Sequence, residues 1–245
     1  MVADDERISI WLRPERADRS GPGRRPGYSR AQVTATAVEL ADSDGLEALT
    51  MRRIAAELGT GAMSLYRYVP KRDDLFDLMV DAALAEVVLP AKPAGDWRAD
   101  LALVARQFRV VGLKHPWLVA LITTRPTLGP ELLRVYEFSL GALDGLGLEI
   151  DELISLTGML NDYVYGAIRT EIGWLESARR TGLDAEQWRS EYLGPYVQQV
   201  IETGNHPLFN RTVLESKLSH LPPEERFEYG LDRVLNGIAA SLPKR

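Results

Sequence analysis

From Ser29 onward, apolar residues return every three or four positions, and no stretch of useful length alternates apolar with polar. That spacing lines one face of a helix, whereas a half-buried strand needs a period of two. The chain is therefore expected to be all-α. Its 245 residues, 45% hydrophobic and 26% charged, supply ample material for a core in one or two domains. The absence of cysteine excludes disulfides, thiolate metal sites and cysteine nucleophiles. No apolar run approaches the ~20 residues that span a bilayer, and the first residues carry no apolar signal core. A cytoplasmic protein without a membrane partner is expected. The histidines, His115, His206 and His220, are far apart and not in metal-ligand spacing. No Gly-x-Ser-x-Gly elbow is present. The expectation is a non-enzyme with no metal and no cofactor.

A formal net charge of −6 argues at first against a polyanionic partner. The distribution argues the other way. Arg52, Arg53, Arg67, Lys71 and Arg72 stand against Glu57 alone between positions 52 and 72, and Arg19, Arg24, Arg25 and Arg30 stand without an acid between 19 and 30. Two basic islands on an acidic chain make a focused positive face, which matters more for phosphate than the average does. Residues 1–27 lack periodicity and contain GPGRRPG at 21–27, so they read as a flexible basic arm.

Ser29 and Gln32 have capping-box spacing ahead of Val33, Ala37 and Leu40, which opens a first helix that Asp44-Gly45 stops. Thr50 caps a short second helix ending at Gly59, a third spans about 62–68, and a fourth runs from near Lys71 to about Val88. Pro90 and Pro93 mark a boundary, giving an N-terminal bundle over 28–90 and a larger helical domain over 95–245. Within the latter, apolar stripes run through Leu101, Val104, Phe108 and Val111 up to Pro116 and through Leu132, Tyr136, Leu140 and Leu143 up to Gly145, and further helical patterns cover 151–181, 184–203 and 223–241.

Two short helices joined by Gly59-Thr60-Gly61 have the layout of a helix-turn-helix. The tip of the second helix must be slim to enter a groove ~12 Å wide, and Ala62, Met63 and Ser64 meet that demand. With Leu65 and Val69 inward, Tyr66, Arg67 and Tyr68 are left to reach DNA. The hydroxyls suit phosphate, and Arg67 suits phosphate or guanine. Arg52, in the first turn of the supporting helix, is placed to do likewise.

The stretch from Tyr28 to Ala83 resembles the tetracycline-repressor (TetR) family of bacterial transcriptional regulators. The resemblance follows the order Gly-Leu-x-x-Leu-Thr, Ile-Ala-x-x-Leu-Gly, Leu-Tyr-x-Tyr-Val and x-Lys-x-x-x-Leu without a gap. It implies that Thr50, Arg52, Met63, Ser64, Tyr66, Tyr68 and Arg72 occupy DNA-contacting positions, with Arg72 or Lys71 at the family's phosphate-binding lysine. Ala62 and Met63 carry no hydrogen-bonding side chain, so base readout rests on few contacts.

The same resemblance implies that the C-terminal helices form a ligand pocket and a dimer interface. The dimer candidates are 151–180 and 223–241. Gly158, Gly166 and Gly173 recur near one face of the long helix, at a cost of up to ~1 kcal/mol each relative to alanine. Either close packing inside the chain or a partner or cavity accounts for them. Met159, Asn161 and Tyr163 opposite Phe108 and Trp117, with Tyr136 nearby in the aromatic set, are the candidate effector site. The expected function is a homodimeric regulator, usually a repressor, that binds a double-stranded pseudo-palindromic operator and is released by a small apolar or aromatic effector of unknown identity. Ala94–Trp97 is the expected transmitter. The competing reading is a helical small-molecule-binding or interaction protein without DNA-binding activity.

Overall fold

The computed structural model describes residues 8–15, 28–217 and 221–243, all helix, turn or irregular chain. They fall into two compact units, one up to Gly145 and one from Leu146. The first unit holds α1 (Arg30–Asp44), α2 (Met51–Glu57), α3 (Ala62–Leu65), α4 (Arg72–Leu84), α5 (Trp97–Lys114), α6 (Leu118–Thr124) and α7 (Pro130–Leu143). The second holds α8 (Ile150–Thr181), then α9 (Ala185–Gln187), which runs through a π-helical turn at Trp188–Leu193 into α10 (Gly194–Thr203). It closes with α11 (Pro207–Glu215) and α12 (Pro223–Ser241).

The local signals at helix starts hold. Ser29 Oγ accepts the Gln32 N–H at 3.1 Å and Gln32 Oε1 accepts the Ser29 N–H at 2.9 Å, a complete capping box for α1. Thr50 Oγ1 accepts the Arg53 N–H at 3.2 Å. α4 begins after Lys71 with Asp73 and Asp74 in its first turn, where carboxylates favour the helix dipole. It ends at Leu84, earlier than its apolar stripe suggests, and loosens into turns that carry the chain to Val87.

α4 is the hub of the first unit, packing on α1, α5, α6 and α7. Arg134 of α7 donates through Nη2 to the Leu84 and Val87 carbonyls at 3.1 and 2.9 Å, satisfying the frayed end of α4. Arg125 pairs with Asp77 at 2.9 Å and donates to the Asp73 carbonyl at 2.8 Å. α7 starts at Gly129 without a cap of its own, and Asp81 of α4 accepts the Glu131 N–H at 2.8 Å instead. Burial pushes the Asp81 carboxyl up, against the pull of the Glu131 and Leu132 N–H groups. These bonds tie α6 and α7 to α4, and the compact unit runs on through Gly145.

Glu86, just beyond α4, is held below its ordinary range by Lys114, whose Nζ lies at 2.6 Å. Its stabilising contribution is complete above the unfolded carboxylate value and is lost as pH falls through the folded one.

Part of the expected arm is ordered. Residues Ile10–Leu12 form a 3-10 turn, and Ile10 is buried at 1% exposure. Residues 1–7 and 16–27, including Arg19, Arg24 and Arg25, lie outside the described residues.

In the second unit α8 and α12 pack on each other. Phe227, Leu231, Leu235 and Ile238 form one buried stripe on α12. The two helices meet closely at Tyr163, whose hydroxyl donates to the Phe227 carbonyl at 2.6 Å. A Cβ on Gly230 would lie 2.7 Å from Tyr163 Cζ. Gly230→Ala gains up to ~1 kcal/mol of helix propensity but should lose about 1–3 kcal/mol by overpacking. Urea denaturation should show net destabilisation. A more stable variant would show that Tyr163 gives way freely.

Candidate nucleic-acid interface and helical cavity

α2 closes in a left-handed turn. Gly59 has φ +66°, its N–H reaches the Ala56 carbonyl at 3.0 Å, and the Thr60 N–H reaches the Ala55 carbonyl at 2.8 Å. Glycine suits this position because a Cβ is strained at that φ. The turn launches α3, a single turn of helix. It is shorter than the expected 62–68, because after Leu65 the Tyr68 and Val69 N–H groups both fold back onto the Leu65 carbonyl at 2.9 and 3.0 Å.

This local turn decides which side chains face out. Met63 is 83% exposed and Tyr66 42%, and Arg67 is also exposed, whereas Leu65 and Val69 are fully buried. Tyr68 is a correction: expected to be free for DNA, it is 3% exposed. Positions 65, 68 and 69 stand at i, i+3 and i+4 and turn inward together, a signal the sequence already carried. The Tyr68 hydroxyl accepts from Arg67 Nη2 at 2.8 Å, and the Arg67 guanidinium lies 4.8 Å from the ring centroid. Tyr68 thus serves as the platform that holds Arg67 at the surface.

Around the tip, Thr50, Arg52, Ala62, Tyr66 and Arg72 line a groove of about 430 Å³ that also includes Leu49 and Leu75. Arg52 is exposed on the first turn of α2. Arg72 lies 5.0 Å over the Phe76 ring, an arrangement that orients its guanidinium. Ser64 and Lys71 are half-buried at the margin. Arg53 pairs with Asp44, away from this set. Arg30, counted with the basic arm, is drawn inward to backbone carbonyls. The tip therefore presents a narrow apolar point, Ala62 and Met63, flanked by a phenol and three arginines. That combination suits a duplex groove bordered by phosphates.

Sequence gave no hint of Asp42. On α1, its carboxylate accepts from Trp117 Nε1 at 2.7 Å and from His115 Nδ1 at 2.8 Å, so His115 carries its hydrogen on Nδ1. The pairs are 73 and 75 positions apart, beyond any local pattern. Within the first unit, this ties α1 to the junction of α5 and α6.

The six expected effector residues divide between the units. Phe108 and Trp117 are core residues of the first, at 4% and 5% exposure, and Tyr136 is half-buried there. Met159, Asn161 and Tyr163 belong to α8 of the second, with Met159 39% exposed. Of the six, Tyr163 lines a cavity of about 740 Å³ between α8 and α12, walled also by Trp174, Phe227 and Tyr229, with Arg189, Arg226 and Arg233 balanced by Asp162, Glu171 and Asp184. Trp174 meets Trp188 edge-on at 5.3 Å, and Trp188 stacks on Tyr192 at 5.6 Å, so an aromatic ladder backs one wall. Tyr165 on α8 is pushed up to about 12 by burial and by Asp162, so its phenol stays neutral. No helix among the described residues is long and apolar enough to cross a membrane.

Two family models match the chain: bacterial regulatory proteins of the tetR family over residues 33–79, and the tetracyclin repressor-like C-terminal domain over 89–242. The transcriptional repressor DrrR1 of Streptomyces coeruleorubidus is 39% identical over 238 residues, spanning 96% of this chain and 85% of that protein. The class E tetracycline repressor of Escherichia coli is 26% identical over 216 residues, 87% of this chain and 92% of the repressor. The crystal structure of ActR from Streptomyces coelicolor in complex with actinorhodin superposes with a TM-score of 0.72 at 28% identity, covering 89% of this chain and 99% of ActR. The chain belongs to the tetR family of bacterial regulatory proteins, DNA-binding helix-turn-helix transcription factors and not enzymes.

Proposed function

We propose that this protein is a cytoplasmic, ligand-responsive repressor that binds a pseudo-palindromic operator as a homodimer and is released by an aromatic or apolar effector. The observation that carries the DNA half is the exposed α3 tip with Arg52, Tyr66, Arg67 and Arg72 around it. The residues proposed to touch DNA are Thr50, Arg52, Ala62, Met63, Ser64, Tyr66, Arg67, Lys71 and Arg72. Two such tips spaced by roughly 34–36 Å would match half-sites one turn apart.

Dimerisation through α8 and α12 is supported by the glycine stripe. A Cβ at Gly158 or Gly173 would meet nothing within 4 Å, so close packing inside the chain does not account for these two, whereas Gly166 opens onto the α8–α12 cavity. Exposed Ile154, one helical turn before Gly158, adds apolar surface on α8. The effector half rests on the α8–α12 cavity, whose size falls within the ~300–1,000 Å³ of small-molecule sites. Its aromatic walls suit a planar ring system, in keeping with actinorhodin bound to ActR. An effector that favours the DNA-free form by about 1–3 kcal/mol would lower operator affinity five- to about 150-fold.

Selection of bound duplexes from a random pool, with the full chain at near-physiological salt, tests this function. An enriched inverted repeat is expected. Enrichment of nothing by folded dimer, with and without cell extract, would favour the interaction-protein reading.

A further inference from the structure

The docked segment 8–15 makes contacts that a simple phosphate-binding arm would not need. Ile10 is buried at 1% exposure. Arg13 Nη1 lies 3.0 Å from Asp74 Oδ2 in the first turn of α4, and the two side chains are only 8% and 10% exposed. Trp11 sits against Gly129, the residue that opens α7: a Cβ there would come within 2.8 Å of Trp11 Cζ2. The third link runs through Arg30, the first residue of α1. Its Nε donates to the Tyr68 carbonyl at 3.1 Å, and its Nη1 donates to the Arg13 carbonyl at 2.8 Å. One guanidinium therefore joins the docked segment to the turn that ends the recognition helix.

α3 is a single helical turn of four residues. Helices that short have no stability of their own, so neighbours must impose their orientation. Leu65 and Val69 bury one side, but apolar burial is non-directional and sets no angle. A planar fork with two fixed donor directions does.

We infer that residues 9–13 and Arg30 form a clasp that sets the angle of the recognition helix against the N-terminal ends of α4 and α7. Arg30, Arg13 and Trp11 are positioning residues. They act on DNA through the Tyr66 and Arg67 they orient, and touch no phosphate themselves. This inference rests on the DNA-binding reading for its functional consequence. The clasp itself can be measured without DNA.

The test uses Arg30→Lys and Trp11→Ala in the full chain. Lysine keeps the charge of Arg30, but its compact ammonium on a flexible stem lacks the planar fork whose Nε and Nη1 fix the directions to the Tyr68 and Arg13 carbonyls. Hydrogen exchange reads the Ser64, Tyr68 and Val69 amides, which are bonded to the Gly61 and Leu65 carbonyls. The expected result is about tenfold faster exchange at these amides in both variants, with the amides of α5 and α12 unchanged. With an operator obtained by selection, the ratio of specific to non-specific affinity should fall about tenfold. The salt slope should stay the same, because no phosphate contact is removed. Wild-type exchange at the three amides in both variants would overturn the clasp, and so would acceleration spread evenly over the whole chain, which marks general unfolding. A retained affinity ratio despite faster exchange would overturn its role in DNA binding. Should Trp11→Ala fail to fold, Arg30→Lys alone decides. If the wild type enriches no operator, the DNA reading falls, and exchange still decides whether the clasp holds α3.

Discussion

Arg52→Ala and Tyr66→Ala should each weaken binding to a selected operator by about ten- to a hundredfold, with unfolding curves close to wild type. Arg52 is exposed at the start of α2, and Tyr66 is 42% exposed at the end of α3. Neither replacement opens a core cavity, so the cost in stability should stay within about 0.5 kcal/mol. A dimer loses each contact twice. At about 1 kcal/mol or more for each hydrogen bond to phosphate or base edge, the loss reaches that range. Arg52→Ala should also flatten the salt dependence if its partner is a phosphate, and relax preference at one base position if its partner is guanine. Fluorescence anisotropy at several salt concentrations separates the two. Normal affinity in either variant would mean that the helix docks by another face. Tyr68→Ala is the contrast, since it removes a buried ring and the platform beneath Arg67. Its cost should appear in stability first, at about 3 kcal/mol or more by analogy with other buried aromatics.

Asp42→Ala should destabilise the first unit by about 2–5 kcal/mol. The change strands the Trp117 Nε1–H and the His115 Nδ1–H in a site where Trp117 is 5% and His115 1% exposed. Each buried donor without an acceptor costs about 1–3 kcal/mol. Asp42→Asn keeps one acceptor oxygen and should fall between the alanine variant and wild type. Urea denaturation measures both. A loss under about 0.5 kcal/mol for Asp42→Ala would mean that water replaces the carboxylate and that α1 is not tied to the α5–α6 junction through it.

Several parts of this protein were legible in the sequence because the physics that makes them is local. The Ser29–Gln32 box, the Thr50 cap and the Gly59 turn each involve residues within five positions of one another, so the order of residues specifies the hydrogen bonds. α12 spans 223–241 as its apolar period indicates, because a stripe at 227, 231, 235 and 238 must face one way. The exposed tip follows from the same rule, and the inward turn of Tyr68 could have been read from its spacing to Leu65. Two helices escaped for a local reason too. α6 and α11 have only seven and nine residues, too short for a periodic pattern to stand out.

Tertiary structure decided the rest. Whether the Ile10 segment docks depends on Asp74 and Gly129, which come from α4 and the start of α7. The cap of α7 is a carboxylate 50 positions earlier. That the first unit runs to Gly145 follows from side chains of α6 and α7 satisfying carbonyls and carboxylates of α4. Such bonds form between groups whose separation along the chain is unrelated to their separation in space. Sequence by itself therefore determined the long helices, the caps of α1 and α2, and the exposed tip of the helix-turn-helix. Only the packed chain decided which polar groups meet, because a buried donor takes whichever acceptor the fold places beside it.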